Sequence, residues 1–434
     1  MVAQLCKLFD NGAMLRVLRN QTYRRLFTAQ IVALLGTGLA TIALGLLAYD
    51  VAGGHASLVL GGIFTVKMIA YVFVAPLTSA ALVRLPRRTV LVASDVLRLV
   101  VALWLPFADQ AWQIFMLVFV LQSASATFTP TFQSVIPLVL PEEDDYTQAL
   151  SLSRLAYDLE SIVSPMLAAL LLLVVHSNTL FFGTAVGFAG SAMLVLSTAL
   201  PKSLGLTCAD DGPQLPFGIR ARAGILHFIH RPGLRPILAL NFVTAAAMSL
   251  VLVQTVVVVR SQLGLDESMV AVFLAVSGAG SMTAALAIPR VLRTVDERTI
   301  MLPAAGVLAA LTALAGIVLL ISAGPTQVGV LAVVWFVMGL AWSAVETPIG
   351  RIIRRETPSD ELSAAFAAQF SLSHACWLIS YPLAGVLGLA GLPATAFVLA
   401  GLAAAAAVLA SLLWRPELGL PTLEVMRADT AEGS

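Results

Sequence analysis

Residues 57–108 read SLVLGGIFTVKMIAYVFVAPLTSAALVRLPRRTVLVASDVLRLVVALWLPFA, and this stretch decides the fold. Two apolar runs flank a short gap that carries Arg84, Arg87 and Arg88. A bilayer-spanning helix needs about 20 apolar residues, and cytoplasmic helix ends collect Lys and Arg. Outward from this gap, nearly all of the 25 Lys and Arg fall in every second gap between apolar runs. Lys7, Arg16, Arg19, Arg24 and Arg25 precede the first run, and Lys202, Arg220, Arg222, Arg231 and Arg235 occupy the central loop. Arg290, Arg293 and Arg298 follow the eighth run, Arg351, Arg354 and Arg355 the tenth, and Arg415 and Arg427 lie in the tail. Arg260 stands alone at an outer helix end. The pattern predicts an all-α integral membrane protein with twelve transmembrane helices, both termini on the cytoplasmic side of the cell membrane.

Composition agrees. The chain is 59% hydrophobic and 11% charged with a mean hydropathy of +0.94, outside the range of soluble domains. Its net charge of +1 is sorted by side rather than pooled, so no nucleic-acid partner is expected. Cys6, Cys208 and Cys376 give no disulfide framework. The first apolar run is a full span with no cleavage site, so no cleavable signal peptide is expected.

The spans are predicted at roughly 26–48, 57–82, 89–108, 112–136, 148–175, 179–200, 236–259, 268–289, 300–322, 327–349, 363–389 and 393–413. This divides the chain into a cytoplasmic N-terminus (1–25), a first bundle (26–200), a linker (201–235), a second bundle (236–413) and a tail (414–434). The linker is expected to carry one surface helix around Ile219–Arg231. The halves resemble each other. Phe119-Val120-Leu121, Thr129-Pro130, Pro141-Glu142-Glu143 and Ser151-Leu152-Ser153-Arg154 recur as Phe336-Val337-Met338, Thr347-Pro348, Pro358-Ser359-Asp360 and Ser371-Leu372-Ser373-His374. Two pseudo-symmetric six-helix bundles enclosing a path are a transporter design.

Over Leu18 to Trp414 the chain resembles the major facilitator superfamily. The family's loop pattern G-x-x-x-D-R-x-x-R-R is matched at Arg84, Arg87 and Arg88, while Ser79 and Val83 replace its Gly and Asp. Thr129-Pro130 through Ile136-Pro137 is similar to the drug- and siderophore-efflux branch, and Ser151 to Pro165 and Ser371 to Gly385 are similar to nickel-resistance exporters. Ser164-Pro165 with Ala168-Ala169 stands where antiporters carry Gly-Pro and Gly-Gly, and Tyr381-Pro382 with Gly385 is its counterpart. The resemblance implies a monomeric secondary exporter of small toxic solutes coupled to protons. The first rival is the same machine exporting a divalent metal such as nickel or cobalt; a second is a lipid-handling or structural membrane protein.

Ionisable groups at the helix centre cost about 2.5–3.5 kcal/mol on insertion scales, so each asks for a partner, a wet cavity or a function. Lys67 lies near the middle of the second span, lining the path or forming a structural pair. Arg154 and Asp158, four apart on one face, read as a pair, while Glu160 points elsewhere and is a candidate proton carrier. Glu346, Asp158 and His374 are further candidates, and His374 is also a weak metal candidate near Cys376. Arg84, Arg87, Arg88, Asp95, Arg98 and Arg154 are expected at the cytoplasmic gate. The resemblance assigns the first, fourth, seventh and tenth spans to the cavity wall. It points to Gln30, Thr37 and Thr41, to Gln122, Ser125 and Thr129, to Asn241, Thr244 and Gln254, and to Trp335, Trp342 and Ser343. His227 and His230 have ligand spacing but no third partner. No phosphate-cradling G-x-x-x-x-G-K-[ST] and no catalytic cluster occurs, so no cofactor, ATP use or enzymatic activity is expected.

Overall fold

The computed structural model describes residues 17–74, 78, 85–198, 226, 228–321, 324–357 and 362–414. Every long element is a helix, as the bilayer demands when backbone groups must be satisfied within the segment. In chain order these are α1 Gln21–Ala52, α2 Ala56–Ile69, α3 Arg87–Trp104, α4 Ala111–Val139, α5 Glu143–Leu172, α6 Leu180–Leu196 and α7 Arg235–Val257. There follow α8 Glu267–Val291, α9 Glu297–Leu319, α10 Pro325–Glu346, α11 Ile349–Glu356, α12 Leu362–Leu387 and α13 Leu392–Leu413. Arg84, His227, the linker residues 201–225 and the tail residues 415–434 lie outside the described residues, as do the side chains of Arg154 and Asp158.

Among the described residues, ten helical stretches are long and apolar enough to cross a membrane. The expected separate first and second spans emerge as one stretch of 54 residues, Gln21–Val74. The connection between them is itself helical, a 3-10 turn at Gly53–His55, and the chain reverses at Gly53, whose φ of +50° suits a residue without a Cβ. The expected fifth span, 148–175, corresponds to α5. This is one continuous helix over Glu143–Leu172, with the acidic and polar residues of its sequence before Pro165.

Local sequence explains the ends. The Asn20 side chain accepts from Tyr23 N at 3.1 Å to start α1, and Gln110 with Gln113 makes a capping box for α4. Pro236, Pro325 and Pro393 open α7, α10 and α13, where a missing N–H costs nothing. Pro348 separates α10 from α11, an eight-residue helix that buries Ile349, Ile352 and Ile353 and exposes Arg351, Arg354 and Arg355. The predicted tenth span, 327–349, therefore stops at Glu346, and α11 lies against the body of the protein. In α2 the helix widens to a π turn over Ala70–Val74, just after Lys67; such turns recur at functional sites.

Helix α1 packs on α5 and α6, α3 on α4 and α6, and α2 on α4. In the second half α7 packs on α12 and α13, α8 on α10, and α9 on α10 and α13. Two larger seams cross between the halves, α2 with α12 and α5 with α8. Small residues make the first possible. A Cβ at Gly61 would stand 2.7 Å from both the Gly385 Cα and the Tyr381 carbonyl oxygen. Close backbone approach of this kind drives helix association where lipid removes the hydrophobic incentive.

Candidate functional site

The basic ends of the helices, where Arg87, Arg88, Arg351 and Arg355 gather, form one face of the molecule; α1 and α7 run from it to the opposite face. Arg87 donates to the Ser134 carbonyl at 2.7 Å, and Arg88 and Arg25 donate to the Leu196 and Ser197 carbonyls at the end of α6. Cations belong there, against the negative end of a helix dipole. In the second half, Glu297 at the start of α9 is buried and pairs with Arg351 at 2.8 Å and Arg355 at 3.0 Å. Arg351 also caps α8 through the Leu292 carbonyl at 2.8 Å.

Asp95 and Arg98 sit deeper than a gate residue at the mouth would. Arg98 lies 11 residues past Arg87 on α3, roughly 16 Å along the axis. It is 3% exposed, bonds to Asp95, and lies between the Phe128 and Phe188 rings at 4.4 and 4.5 Å. Asp95 also accepts from the Ser191 hydroxyl at 2.7 Å. The pair and its two rings tie α3 to α4 and α6.

Near mid-depth, side chains from three helices converge. Glu160 of α5 faces α1 so closely that a Cβ at Gly38 would overlap its carboxylate and the Ser164 side chain. Lys67 of α2 lies within electrostatic reach of this carboxylate and of His374 of α12. Among the described residues no direct ion pair joins Lys67 to Glu160, so the two charges stand apart across the interior. All three groups are half-buried; Glu160 and His374 lie in the middle of their helices, and Lys67 lies in the last turn of α2 before the π turn.

An aromatic stripe borders these charges. Phe370, His374, Trp377 and Tyr381 recur at helical spacing on one face of α12. His374 stacks on Phe370 at 4.0 Å and on Tyr71 of α2 at 6.0 Å. Trp377 meets Tyr381 at 5.0 Å and Trp342 of α10 at 6.4 Å, and Tyr381 stacks on Phe64 at 4.9 Å. A polar group lies toward the basic end of α7. Thr244 donates to Glu346 at 3.1 Å, and Asn241 and Gln369 exchange two hydrogen bonds at 3.1 and 3.0 Å.

At the opposite face the halves are joined. The Tyr49 and Ser261 hydroxyls bond at 2.9 Å with Arg260 over the Tyr49 ring. Ser57 donates to Gln254 at 2.6 Å, and Gln254 donates to the Ala384 carbonyl at 2.7 Å. Gln254, expected on a cavity wall, thus spans the α2–α7–α12 junction, and Trp335 is fully buried against Phe273 while donating to Thr255 at 2.8 Å. Gln30 accepts from Ser153 at 3.0 Å, and Thr37 and Thr41 donate to carbonyls of their own helix. Gln122 is buried with an unbonded Oε1. The sequence reading took Tyr381 only as part of the Tyr381-Pro382 motif and did not single out Tyr71, Trp377 or Gln369. The four-, seven- and eleven-residue spacing from Phe370 was the signal available for the aromatic stripe.

His374 Nδ1 is engaged by the Phe370 carbonyl at 2.7 Å, and no group of three or more metal-ligating side chains occurs among the described residues.

Comparison with known proteins agrees with this architecture. An uncharacterized MFS-type transporter, YfiS of Bacillus subtilis (strain 168), is 25% identical over 324 residues, 74% of each chain. The crystal structure of the nucleoside transporter NupG superposes with a TM-score of 0.68 at 12% identity, covering 91% of this chain and all of that one. A POT family transporter in complex with a thioalcohol-conjugated peptide gives 0.69 at 12% identity, covering 90% and 96%. A bacterial homolog of the human lysosomal transporter Spinster, in an inward-facing and unoccupied conformation, gives 0.69 at 12% identity, covering 91% and 99%. These three likenesses concern the fold. The family model of the Major Facilitator Superfamily matches residues 26–324, well over half the chain, and the protein therefore belongs to that superfamily of multi-pass membrane transporters.

Proposed function

We infer that the protein is a secondary active exporter of small toxic solutes, driven by protons and working by alternating access. Its twelve spans would form two six-helix bundles, 26–200 and 236–413, joined by the cytoplasmic linker 201–235, with the basic face toward the cytoplasm. The observation that carries this reading is the group of titratable side chains at mid-depth, Lys67, Glu160 and His374, drawn from three helices with no direct ion pair between Lys67 and Glu160 among the described residues. Uncompensated charge in the hydrocarbon region is otherwise too costly to keep.

An opposite charge favours an ionised carboxylate, and its withdrawal favours protonation. Rocking that changes the Lys67–Glu160 separation would load and release a proton at Glu160. The α12 aromatic stripe with Trp342 would hold the apolar part of the solute, and Glu346 its polar part. The junctions Tyr49–Ser261 and Ser57–Gln254–Ala384 favour a state closed at the outer face and accessible from the cytoplasm. Divalent metal as cargo has less support, because no group of three or more metal-ligating side chains occurs among the described residues.

The test is transport in proteoliposomes under an imposed pH gradient, across a panel of dyes, antibiotics and divalent metals. Gradient-driven movement of an organic solute, lost in Glu160→Gln while solute exchange without a gradient persists, is the expected result. Undiminished coupled transport in Glu160→Gln would remove Glu160 as the carrier, and inactivity toward every solute would count against export itself.

A further inference from the structure

A cleft of about 450 Å³ opens between α7, α12 and α13, toward the basic end of α7. Its walls are Leu238, Phe242, Cys376, Ala406 and Leu409, all apolar or nearly so, and Arg235 stands at its mouth. The volume lies within the range of small-ligand sites. Arg235 is the first residue of α7, and its Nε donates to the Ile229 carbonyl at 2.7 Å. That bond fixes the guanidinium plane, while its terminal nitrogens take no protein partner among the described residues. Apolar side chains continue outward from the mouth: Ile229 and Leu409 are half exposed and Leu412 is 74% exposed.

We propose that this cleft is a binding site for an anionic phospholipid of the cytoplasmic leaflet, one acyl chain between α7, α12 and α13 and the phosphate on Arg235. A guanidinium offers paired donors that match a phosphate, and basic pockets between helices on the cytoplasmic side take anionic headgroups. An apolar trough ending in a fixed cation fits an amphiphile with a negative head, and fits neither a free anion nor a neutral chain as well. The sidedness rests on the topology given above. None of Lys67, Glu160 and His374 lines the cleft, so its occupancy is read separately from transport.

The experiment is native mass spectrometry of the full chain released from detergent, with phosphatidylglycerol or phosphatidylcholine added. The wild-type protein is expected to retain one phosphatidylglycerol, with phosphatidylcholine retained about fivefold less, the discrimination one surface cation supplies. Arg235→Gln should erase that preference, and Ala406→Phe, which fills the cleft and leaves the cation in place, should abolish retention of both lipids. Leu409→Trp, at a half-exposed position, repeats the second arm if the Phe variant does not fold. Equal retention of the two lipids by the wild type, or phosphatidylglycerol retained unchanged in the filled variants, overturns the assignment. None of these outcomes depends on a transported solute, so failure here leaves the export reading standing.

Discussion

Substituting Gly61 with Ala tests the α2–α12 seam and the two-state motion together. The added methyl carbon would lie 2.7 Å from the Gly385 Cα and 2.7 Å from the Tyr381 carbonyl, and 3.1 Å from the Gly385 nitrogen. All three obstacles are backbone, so no rotamer change relieves them; the helices must separate. Across the seam, a Cβ at Gly385 would meet the Ser57 carbonyl at 2.9 Å and the Gly61 Cα at 3.0 Å, so neither side has slack. Overpacking by one methylene-sized group costs about 1–3 kcal/mol where the surroundings cannot yield. If alternating access closes and opens the outer face, that cost falls on the closed state alone. The closed-to-open ratio should then drop by roughly 5- to 150-fold. The assay is pulsed electron spin resonance on spin labels at His55→Cys and Asp266→Cys, exposed positions on either side of the Tyr49–Ser261 contact, in an otherwise Cys-free chain. The expected result is a population at longer distance in Gly61→Ala that is minor without it. An unchanged distance distribution in a folded Gly61→Ala protein would refute the claim that this seam forms the outer closure.

Three further outcomes follow from single contacts. Glu160→Gln should uncouple solute movement from the pH gradient, read as loss of gradient-driven accumulation with exchange intact. Arg98→Ala should leave the Asp95 carboxylate buried without its cation and cost about 3–5 kcal/mol, seen as a lowered thermal midpoint in detergent; Asp95→Asn combined with it should recover part of the loss. Asp296 caps α9, accepting from the Thr299 N–H at 3.4 Å and from the Thr299 hydroxyl, and that hydroxyl bond holds its carboxyl below the usual range. Because the folded-state value is the lower one, the contribution is complete above the unfolded value of about 4 and fades as pH falls through the folded value. Asp296→Ala should therefore cost about 1 kcal/mol at neutral pH, a typical capping loss, and progressively less as pH falls through the folded value; a loss that did not shrink with acidification would argue against the carboxylate as the cap.

Membrane insertion and helix boundaries were legible in the residues because they depend on quantities that are local along the chain. Apolar length and the sorting of arginines between successive gaps need no knowledge of neighbours. The Asp95–Arg98 pair was legible for the same reason, three residues apart on one helix. Its depth was not, since the interface and the interior differ only in what packs around Arg98, and Phe128 and Phe188 come from two other helices. The short connection between the first two spans was legible from its two glycines; that it is a helical turn at Gly53–His55 was not.

Polar residues on the spans were where sequence had least to say. Gln254 and Trp335 share the composition of a cavity wall but bridge helices instead, to Ser57 and Ala384 and to Thr255. Which way a buried amide points depends on the rotation of its helix against partners far away in the chain, 130 residues away for Gln254 and Ala384. The aromatic stripe of α12 escaped notice because Phe, Trp and Tyr read as ordinary apolar positions until Phe64, Tyr71 and Trp342 are brought against them. The order of apolar and basic residues by itself determined that this chain crosses the bilayer repeatedly and where its helices begin. Only the tertiary structure decided that Lys67, Glu160 and His374 share one interior, because a residue's charge is written in the sequence while its neighbours are set by packing.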